Sequence, residues 1–285
     1  MISQLEFDKE IDLIIENAIR EDIGDGDHTS LACIPKTAHG KAKLMVKEAG
    51  IIAGVNFAKH VFNYVDSSLS INIIINEGVF VNEGDIVFYV EGASQSILRA
   101  ERLVLNGMQR MSAIATKTNV FVNLLHGTKT KILDTRKTTP GIRALEKWAV
   151  SIGGGENHRF GLFDMIMLKD NHIDFCGSIT KAIINTQQYL KNTNKDLKII
   201  VEARSLGEIE EILRCEGVFR ILIDNFSVTD TVKAVKMIGN KCLTESSGNI
   251  DETTVRKYAE CGVNYISSGA LTHSVHNMDL SLKAI

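Results

Sequence analysis

The second half of the chain predicts an α/β fold with an incomplete (β/α) barrel, and three features of the sequence support this prediction. Short apolar runs alternate with amphipathic helical stretches, which is typical of βαβ units with a parallel sheet. A polar or charged residue follows each apolar run, and the runs number six, fewer than a complete barrel of this class needs. Right-handed crossovers favour a closed or nearly closed barrel, with a doubly wound open sheet as the competing architecture.

The predicted strands and helices alternate from residue 131 to residue 266. Strands are predicted at Lys131–Leu133, Met165–Leu168, Ile199–Val201, Ile221–Ile223, Cys242–Leu243 and Tyr265–Ile266. Helices are predicted at Gly141–Ile152, Ile179–Leu190, Leu206–Cys215, Val228–Ile238 and Asp251–Cys261. Each helical stretch carries apolar residues on one face, so we expect it to pack against the sheet.

The first half of the chain predicts a small β-containing domain with a helix on either side of it. Apolar residues at helical spacing predict helices over Phe7–Glu21 and Gln95–Thr118. Strands separated by Glu-Gly turns are predicted at Lys41–Lys47, Ile71–Ile75 and Ile86–Val90. These turns resemble those of biotinyl and lipoyl carrier domains, but the lysine at the hairpin tip is absent. A covalent carrier is therefore not expected, and a non-enzymatic carrier-like binding module stays as an alternative.

Composition and charge narrow the class of protein. The 285 residues are 44% hydrophobic and 24% charged, which is ordinary for a globular chain. A formal net charge of -3 argues against a nucleic-acid partner, because such proteins usually present a basic face. The five cysteines show no metal-binding spacing and suit a reducing compartment. No signal peptide or membrane-spanning run is recognisable, so we expect a cytoplasmic protein without a membrane partner.

Polar residues at the ends of the predicted strands indicate an enzyme. In a (β/α) barrel the carboxyl ends of all strands converge on one face, where the active site is built. The residues that follow the six strands are Asp134/Arg136/Lys137, Lys169, Glu202/Arg204, Asp224/Asn225, Glu245 to Gly248 and Ser267 to Gly269. Solvated structural loops have no reason to place polar groups at all of these positions.

Basic residues in two adjacent loops predict a clamp for a small anion with several charges. Arg136 and Lys137 follow the first strand, and Arg159 and Lys169 flank the second. Arginine presents a planar fork to carboxylate or phosphate, whereas lysine presents a point charge. A single such residue is usually a surface charge. Four of them beside two histidines, His158 and His172, favour a substrate clamp.

Two carboxylates and two Ser-Ser-Gly sequences predict a phosphate and metal site. Glu202 and Asp224 follow consecutive strands and could share Mg²⁺ with substrate oxygens; the alternative is that they pair with Arg136 and Lys169. Ser246–Gly248 and Ser267–Gly269 offer hydroxyls and backbone N–H groups of the kind that late barrel loops use to hold phosphate. The common P-loop, dinucleotide and zinc-protease motifs are absent. Gly153 to Gly155 could form a helix C-cap and are otherwise unassigned.

Several motifs along the chain resemble one enzyme family. The long segment DTRKTTPGIRALEKWAVSIGGGENHRFGLFDMIMLKDNHI, at residues 134–173, is similar to the signature of quinolinate phosphoribosyltransferases. The similarity extends to EDIGDGDHTS, ERLVLNGMQRMSAIAT, VEARS, ILIDNFS, ESSGNI and ISSGALTHS, and so covers nearly the whole chain. The acidic Glu156 departs from the family pattern without touching the basic residues.

The resemblance implies a reaction and a fold. Quinolinate and phosphoribosyl pyrophosphate (PRPP) would give nicotinate mononucleotide, pyrophosphate and CO₂ in de novo NAD biosynthesis, with Mg²⁺ as cofactor. The fold would join an N-terminal α/β sandwich over residues 1–115 to an incomplete (β/α) barrel over 116–274. Residues 275–285 would return to the first domain. A related phosphoribosyltransferase with a different acceptor, like the molybdenum-operon relatives of the family, is the alternative within enzymes.

The resemblance also implies roles for individual residues. The quinolinate pocket would comprise Thr135, Arg136, Lys137, His158, Arg159 and Lys169. Glu202 and Asp224 would hold the ribose hydroxyls and the metal, and the catalytic set would be Arg136, Lys137, Lys169, Glu202 and Asp224. The 5′-phosphate would lie against Ser246, Ser247, Gly248, Ser267, Ser268 and Gly269, near His273. Arg102, which by helical position alone would be a solvated residue, would reach into the site of a partner chain, making the protein a homodimer or a higher oligomer.

Overall fold

The structure is a computed structural model that describes residues 3–285, so the first two residues of the predicted N-terminal domain lie outside the described residues. The helices are α1 (Gln4–Ile23), α2 (His28–Cys33), α3 (Val55–Val65), α4 (Ser94–Leu124), α5 (Arg143–Ile152), α6 (Asp170–Cys176), α7 (Ile179–Thr193), α8 (Leu206–Ile212), α9 (Val228–Ile238), α10 (Val255–Ala259) and α11 (Ala270–His273). The strands are β1 (His39–Val46), β2 (Gly50–Ile51), β3 (Ser70–Ile73), β4 (Phe80–Val81), β5 (Ile86–Ala93), β6 (Lys131–Leu133), β7 (Ile166–Leu168), β8 (Ile199–Ala203), β9 (Val218–Asp224), β10 (Leu243–Ser247), β11 (Tyr265–Ser267) and β12 (Leu280–Ala284).

The chain divides into two compact units that interleave along the sequence. The N-terminal unit comprises residues 3–119, 138–154 and 271–285, and the barrel unit comprises 120–137 and 155–270. Helix α5 therefore belongs by its contacts to the N-terminal unit, although it follows β6 in the chain. Because the units do not meet at a single residue, the boundary between residues 115 and 116 stays a prediction.

An antiparallel sheet with strand order β12-β1-β5-β3 organises the N-terminal unit. Along β1 the buried residues are Ala42, Leu44 and Val46, so this strand presents one apolar face to the core. Leu44 is aligned with Phe88 of β5 on one side and with Leu282 of β12 on the other. The C-terminal strand thus completes the sheet that the first strand begins.

Helix α4 supplies the other large apolar surface of the N-terminal unit. Its buried residues include Val104, Met108, Met111 and Ile114, at the spacing of one helical face. The helix continues to Leu124, beyond its predicted end at Thr118. Residues 120–124 of this helix belong by their contacts to the barrel unit, and the side chain of Phe121 is buried.

A six-stranded parallel sheet with strand order β6-β11-β10-β9-β8-β7 forms the barrel unit. The six strands lie where the apolar runs predict them, and helices α7 to α10 connect them. The sheet stays open, since β6 and β7 are consecutive in the chain but lie at its two edges. Glu156 instead forms a parallel bridge with Leu133 on the free edge of β6. The predicted fold class, an incomplete (β/α) barrel joined to an α/β domain, is confirmed.

No helix within residues 3–285 combines the length and the apolar character that crossing a bilayer requires.

Candidate active site

The register of the parallel sheet places the predicted site residues on one face. Glu202 and Glu245 are both aligned with Leu222, and Ser247 is aligned with Asp224. Aligned residues, and residues two apart on one strand, share a face of a sheet. We call this set the site row, and its members are Lys169, Glu202, Asp224, Glu245, Ser247 and Ser267.

An apolar cluster lies directly beneath part of the site row. Met167, Ile200 and Leu222 are buried against one another, and each lies two residues before a member of the site row. They precede Lys169, Glu202 and Asp224, respectively. The close packing of this apolar cluster therefore holds in place the strand backbone that carries these three charged residues.

The arginines of the basic loops come together. Arg159 is buried, its guanidinium Nη1 donates to the carbonyl oxygen of Met165 at 3.1 Å, and Arg136 is exposed nearby. Burial lowers the pKa of Arg159, and the positive charge of Arg136 lowers it further, against the opposing effect of Asp164. The two guanidinium groups therefore repel each other, and an anion bound between them would reduce this repulsion.

The remaining basic residues of these loops are exposed. Lys137 follows Thr135, whose Oγ1 accepts a hydrogen bond from the Lys137 backbone N–H at 3.0 Å. Lys169 lies at the end of β7, and its backbone N–H is 3.1 Å from Nδ1 of His172. His172, the second histidine of the predicted clamp, thus caps the local backbone.

Asp134 anchors the loop that carries His158 and Arg159. This carboxylate is fully buried and accepts hydrogen bonds from Asn157 Nδ2 at 2.6 Å and from the His158 backbone N–H at 2.8 Å. In the same segment the Glu156 backbone N–H donates to the carbonyl oxygen of Ile132 at 2.9 Å. The loop is therefore an extension of the sheet beside β6, and Asp134 is a structural residue.

His158 is buried beneath this loop. Its Nδ1 accepts a hydrogen bond from the Arg159 backbone N–H at 2.6 Å, and its Nε2 lies 3.4 Å from Glu245 Oε2. An acceptor at Nδ1 means that a neutral ring carries its proton at Nε2, facing the carboxylate. Both ring nitrogens are directed at protein groups, so His158 supports the pocket from behind.

Arg220 and Glu245 form a buried ion pair. Glu245 was predicted at a strand end without a role of its own, and Arg220 was not predicted as a site residue. Arg220 Nη1 lies 2.7 Å from Glu245 Oε2, and its guanidinium lies over the ring of Tyr265. Burial acts to raise the pKa of Glu245, but hydrogen bonding and charge from His158 and the charge of Arg220 lower it to about 2. The sequence offered one signal for this pair: Arg220 lies inside the apolar strand β9, and a buried charge needs a buried partner.

Glu202 and Asp224 form the acidic part of the site. Burial raises the pKa of Glu202, the neighbouring charge of Asp224 raises it further, and a hydrogen bond from the Asp170 backbone and the charge of Lys169 act in the opposite direction. Lys169 is therefore close to Glu202, and the two carboxylates repel each other. Oxygen donors of this kind fit a hard cation such as Mg²⁺. In the part of the chain that the structure describes, no three His, Cys, Asp or Glu groups could hold a metal ion by themselves.

The two Ser-Ser-Gly sequences lie at the ends of β10 and β11. Ser247 and Ser267 belong to the site row, whereas Ser246 and Ser268 fall on the opposite face by alternation. Ser268 Oγ is buried and donates to the carbonyl oxygen of Ile250 at 2.9 Å. Of these four residues, Ser247 can therefore present its hydroxyl on the face of the site row, whereas Ser267 lies on the same face but is buried and hydrogen-bonded to Glu245.

Gly248 is required by the packing at the end of β10. Its φ is +99°, and a Cβ at this position would overlap the side chain of Asn225. The backbone N–H of Asn225 in turn donates to the carbonyl oxygen of Ser247 at 2.9 Å. These contacts lock the end of β9 to the end of β10, and only glycine fits against Asn225 at this position.

Arg102 and His273 belong to the N-terminal unit, unlike the other predicted site residues. Arg102 lies on α4 with its side chain exposed, and His273 lies at the end of α11, where Nδ1 is 2.5 Å from Ser274 Oγ. Their roles stay predictions.

Comparisons with known proteins agree with these features over both units. Residues 27–112 match the model for the quinolinate phosphoribosyl transferase N-terminal domain, and residues 114–283 match the model for the C-terminal domain of the same family. The chain belongs to the quinolinate phosphoribosyl transferase family.

Individual relatives and a solved structure support this membership. The chain is 44% identical to "Quinolinate phosphoribosyltransferase [decarboxylating] 1b" of Nicotiana tabacum, over 95% of this chain and 81% of that protein. It is 39% identical to the "Probable nicotinate-nucleotide pyrophosphorylase [carboxylating]" of Bacillus subtilis, over 94% of this chain and 91% of that protein. The crystal structure of NadC from Streptococcus pyogenes matches with a TM-score of 0.90 at 37% identity, covering 99% of this chain and 97% of that chain.

Proposed function

We propose that this member of the family transfers the phosphoribosyl group of PRPP to the ring nitrogen of quinolinate with decarboxylation. The products would be nicotinate mononucleotide, pyrophosphate and CO₂, in de novo NAD biosynthesis. The observation that carries this proposal is the site row, which places a lysine, carboxylates and serines on one face of the sheet. Family membership over both units supports it.

Quinolinate, which carries two carboxylates, suits the basic part of the site. Arg136 and Arg159 would bind these carboxylates with Lys169, while Thr135 and Lys137 complete the pocket. The repulsion between the two guanidinium groups supports this assignment, since a dianion would reverse the effect that lowers the pKa of Arg159. His158 would act from beneath, because its ring nitrogens face protein groups.

PRPP suits the acidic part of the site and the adjacent loops. Glu202 and Asp224 would bind the ribose hydroxyls, and the backbone at Gly248 and Gly269 with the hydroxyl of Ser247 would hold the 5′-phosphate. The fixed backbone turn at Gly248, which Asn225 packs against, supports this placement. Ser246 and Ser268, on the opposite face of the sheet, would support this loop from behind, as the Ser268 hydroxyl does through Ile250.

Glu202 and Asp224 would also hold Mg²⁺, with the remaining ligands coming from substrate oxygens and water. When bound, the ion neutralises charge on the pyrophosphate leaving group. The elevated pKa of Glu202 supports this role, because a cation would lower it by relieving the repulsion from Asp224.

The chemistry needs positioning more than proton transfer. The ring nitrogen of quinolinate already has a free lone pair, so it can form the bond to C1′ of PRPP without a general base. As the bond from C1′ to pyrophosphate breaks, positive charge develops at the ribose, and the carboxylates of Glu202 and Asp224 would stabilise it.

Loss of CO₂ then uses the product of the first step. When the adjacent carbon–carboxylate bond breaks, its electron pair stays on the ring carbon, where the neighbouring cationic ring nitrogen stabilises it. The vacated ring carbon takes up a proton from solvent. Strong cation contacts to the departing carboxylate would oppose this step, so the clamp acts chiefly in binding and orientation.

A homodimer, or a higher oligomer built from it, would complete the site. Arg102 is exposed and makes no hydrogen bond or ion pair within residues 3–285, which suits a residue that serves a partner chain. A cytoplasmic location stays a prediction from composition, and several plant relatives carry the words chloroplastic or mitochondrial in their names.

The acceptor decides between this proposal and the alternative of a related phosphoribosyltransferase. Purified chain with PRPP and MgCl₂ is expected to consume quinolinate and release one CO₂ for each nicotinate mononucleotide. Nicotinate, which lacks the second carboxylate, is expected to react at least about a hundredfold more slowly, because it leaves part of the clamp unpaired. Turnover of nicotinate in the absence of quinolinate at a comparable rate would favour the alternative.

A further inference from the structure

Glu245 and Arg220 belong to the same sheet face as the site, yet neither can touch a substrate. Glu245 is fully buried and Arg220 is 7% exposed, with 2.7 Å between Arg220 Nη1 and Glu245 Oε2. The proposed roles for quinolinate and PRPP leave both residues unused. Glu245 nevertheless immediately precedes Ser246 and Ser247 in the loop assigned to the phosphate.

Stability alone does not account for this ion pair. Removing two charges from water costs several kcal/mol for each ion, and well-packed apolar residues of similar volume are often as good or better. A buried pair is therefore weak support for the fold. The third group in contact with the pair, His158, indicates what else it does.

His158 connects the ion pair to the quinolinate pocket. Its Nε2 lies 3.4 Å from the same Oε2 atom of Glu245 that receives Arg220. Its Nδ1 accepts from the backbone N–H of Arg159, whose guanidinium is buried in the pocket. With its proton at Nε2, a neutral ring accepts at Nδ1 and turns its N–H toward Glu245, although the Nε2–Oε2 contact is not an aligned hydrogen bond. The chain of contacts runs from Glu245 through the His158 ring to the backbone of Arg159.

We infer that Glu245, with Arg220 as its counter-ion, is a positioning residue that holds His158 in one tautomer and thereby fixes Arg159 for quinolinate. The inference rests on the proposed function for the part that concerns quinolinate. Because Glu245 also leads into the phosphate loop, it ties the two substrate sites to one buried group. Its effect is expected on quinolinate far more than on PRPP, since the loop is held independently through Asn225 and Gly248.

The double substitution Arg220→Met/Glu245→Leu tests this role without leaving a buried charge unpaired. An exposed cross-strand pair gives the matched control, Lys41→Met/Glu91→Leu, with Lys41 Nζ 3.5 Å from Glu91 Oε2. Calorimetric titrations with quinolinate and with PRPP in MgCl₂ follow binding in the full-length chain. NMR of protein labelled with ¹⁵N-histidine follows the ring N–H of His158, identified by its absence in His158→Gln.

If Glu245 is a positioning residue, the Arg220→Met/Glu245→Leu chain should fold but no longer hold the His158 ring in one tautomer. We expect its His158 ring N–H signal to be lost to solvent exchange and its quinolinate Kd to rise about tenfold. The PRPP Kd should stay within about twofold of wild type, and the control pair should change neither quantity. In the His158→Gln background the double substitution should not raise the quinolinate Kd any further.

A folded double variant that keeps both the His158 signal and the wild-type quinolinate Kd would overturn the inference. Should the double variant fail to fold, Arg220→Gln/Glu245→Ala replaces it, because alanine offers the ring no acceptor, and an unchanged His158 signal in that variant has the same meaning. Failure of wild-type protein to bind quinolinate would instead overturn the proposed function, while the His158 signal still decides whether Glu245 orients the ring.

Discussion

Arg159 shows how one buried residue can define a binding site. Its guanidinium lies out of water, beside the guanidinium of Arg136, and the negative charge of Asp164 partly opposes this repulsion. Such an arrangement costs free energy until an anion enters. The site is therefore prepared for a ligand with at least two negative groups.

Glu202 gives a prediction about pH and stability. Its pKa is raised by burial and by Asp224, so the folded chain holds this proton more tightly than the unfolded chain. Stability is then lost as the pH rises from the ordinary pKa of glutamate through the raised value. Glu202→Gln should raise the Tm at pH 7 by about 1–3 °C, with little change below pH 4, while the PRPP-dependent activity is lost.

Magnesium provides the control for this prediction. MgCl₂ should raise the Tm of wild-type protein at pH 7 and leave that of Glu202→Gln nearly unchanged, because the variant lacks one of the two carboxylates. Differential scanning fluorimetry across pH measures both effects. A lower Tm for the variant at pH 7 would show that ionised Glu202 stabilises the fold, contrary to the account.

The exposed charged residues of the site could be predicted from the sequence, whereas its buried network could not. Lys169, Glu202 and Asp224 end apolar runs, and a barrel brings such ends together. Glu245 also ends a run, but its pairing with Arg220 depends on strand register and on which face each side chain takes. A single sequence does not contain that register.

At the scale of elements, the triple glycine now has a physical explanation. Gly153 is the C-cap of α5, as one interpretation of the sequence predicted, and a Cβ there would overlap the Ala115 carbonyl oxygen and lie 2.7 Å from Thr118 Cβ. Gly154 has a φ of +91°, which favours glycine. After this turn the chain pairs with β6 through Glu156, which places His158 and Arg159 over Asp134.

Alanine substitutions at two glycines test this explanation. Gly153→Ala should destabilise the chain by about 1–3 kcal/mol, because the new methyl group meets backbone and a β-branched side chain that cannot easily move. Gly207→Ala in α8 is the matched control, since only Ser205 Oγ lies within 4 Å of its added Cβ, at 3.9 Å.

The control should be stabilised by about 0.5–1 kcal/mol from the better helix propensity of alanine. Urea denaturation of the two variants measures both changes. Equal effects of the same sign at the two positions would contradict the packing explanation for Gly153.

Most strands and helices could be predicted because the apolar periodicity is strong. The differences have local causes. Helix α10 begins at Val255 rather than at Asp251, because the Asp251 carboxylate accepts from the backbone N–H groups of Thr253 and Thr254 and forms a turn first. The short helix α6 was not predicted, since its seven residues give too little periodicity to recognise.

At the scale of the whole molecule, the sequence predicted two parts but not their interleaving. Helix α5 follows a barrel strand, yet its Glu146 is buried in the N-terminal unit and accepts from Arg110 Nη2 at 2.8 Å and from Thr139 Oγ1 at 2.8 Å. Such long-range ion pairs depend on tertiary contacts that periodicity does not report.

Mixed oligomers test the proposed role of Arg102 in a partner's site. Arg102→Ala and Arg159→Ala chains should each be nearly inactive alone. After co-refolding, random pairing would make half of the dimers mixed, each with one intact site, so activity should return to about a quarter of wild type. Two copies of one variant refolded together give the control. No recovery in the mixture would contradict a contribution of Arg102 across the interface.

Quinolinate binding to wild-type and Arg159→Ala protein tests the central claim most directly. Isothermal titration calorimetry of the full-length chain should show quinolinate binding to wild type and an affinity about a hundredfold weaker in the variant, because a buried cation that pairs with a carboxylate is removed. Circular dichroism verifies that the variant is folded. A folded Arg159→Ala protein that binds quinolinate as tightly as wild type would contradict the account of a two-carboxylate clamp.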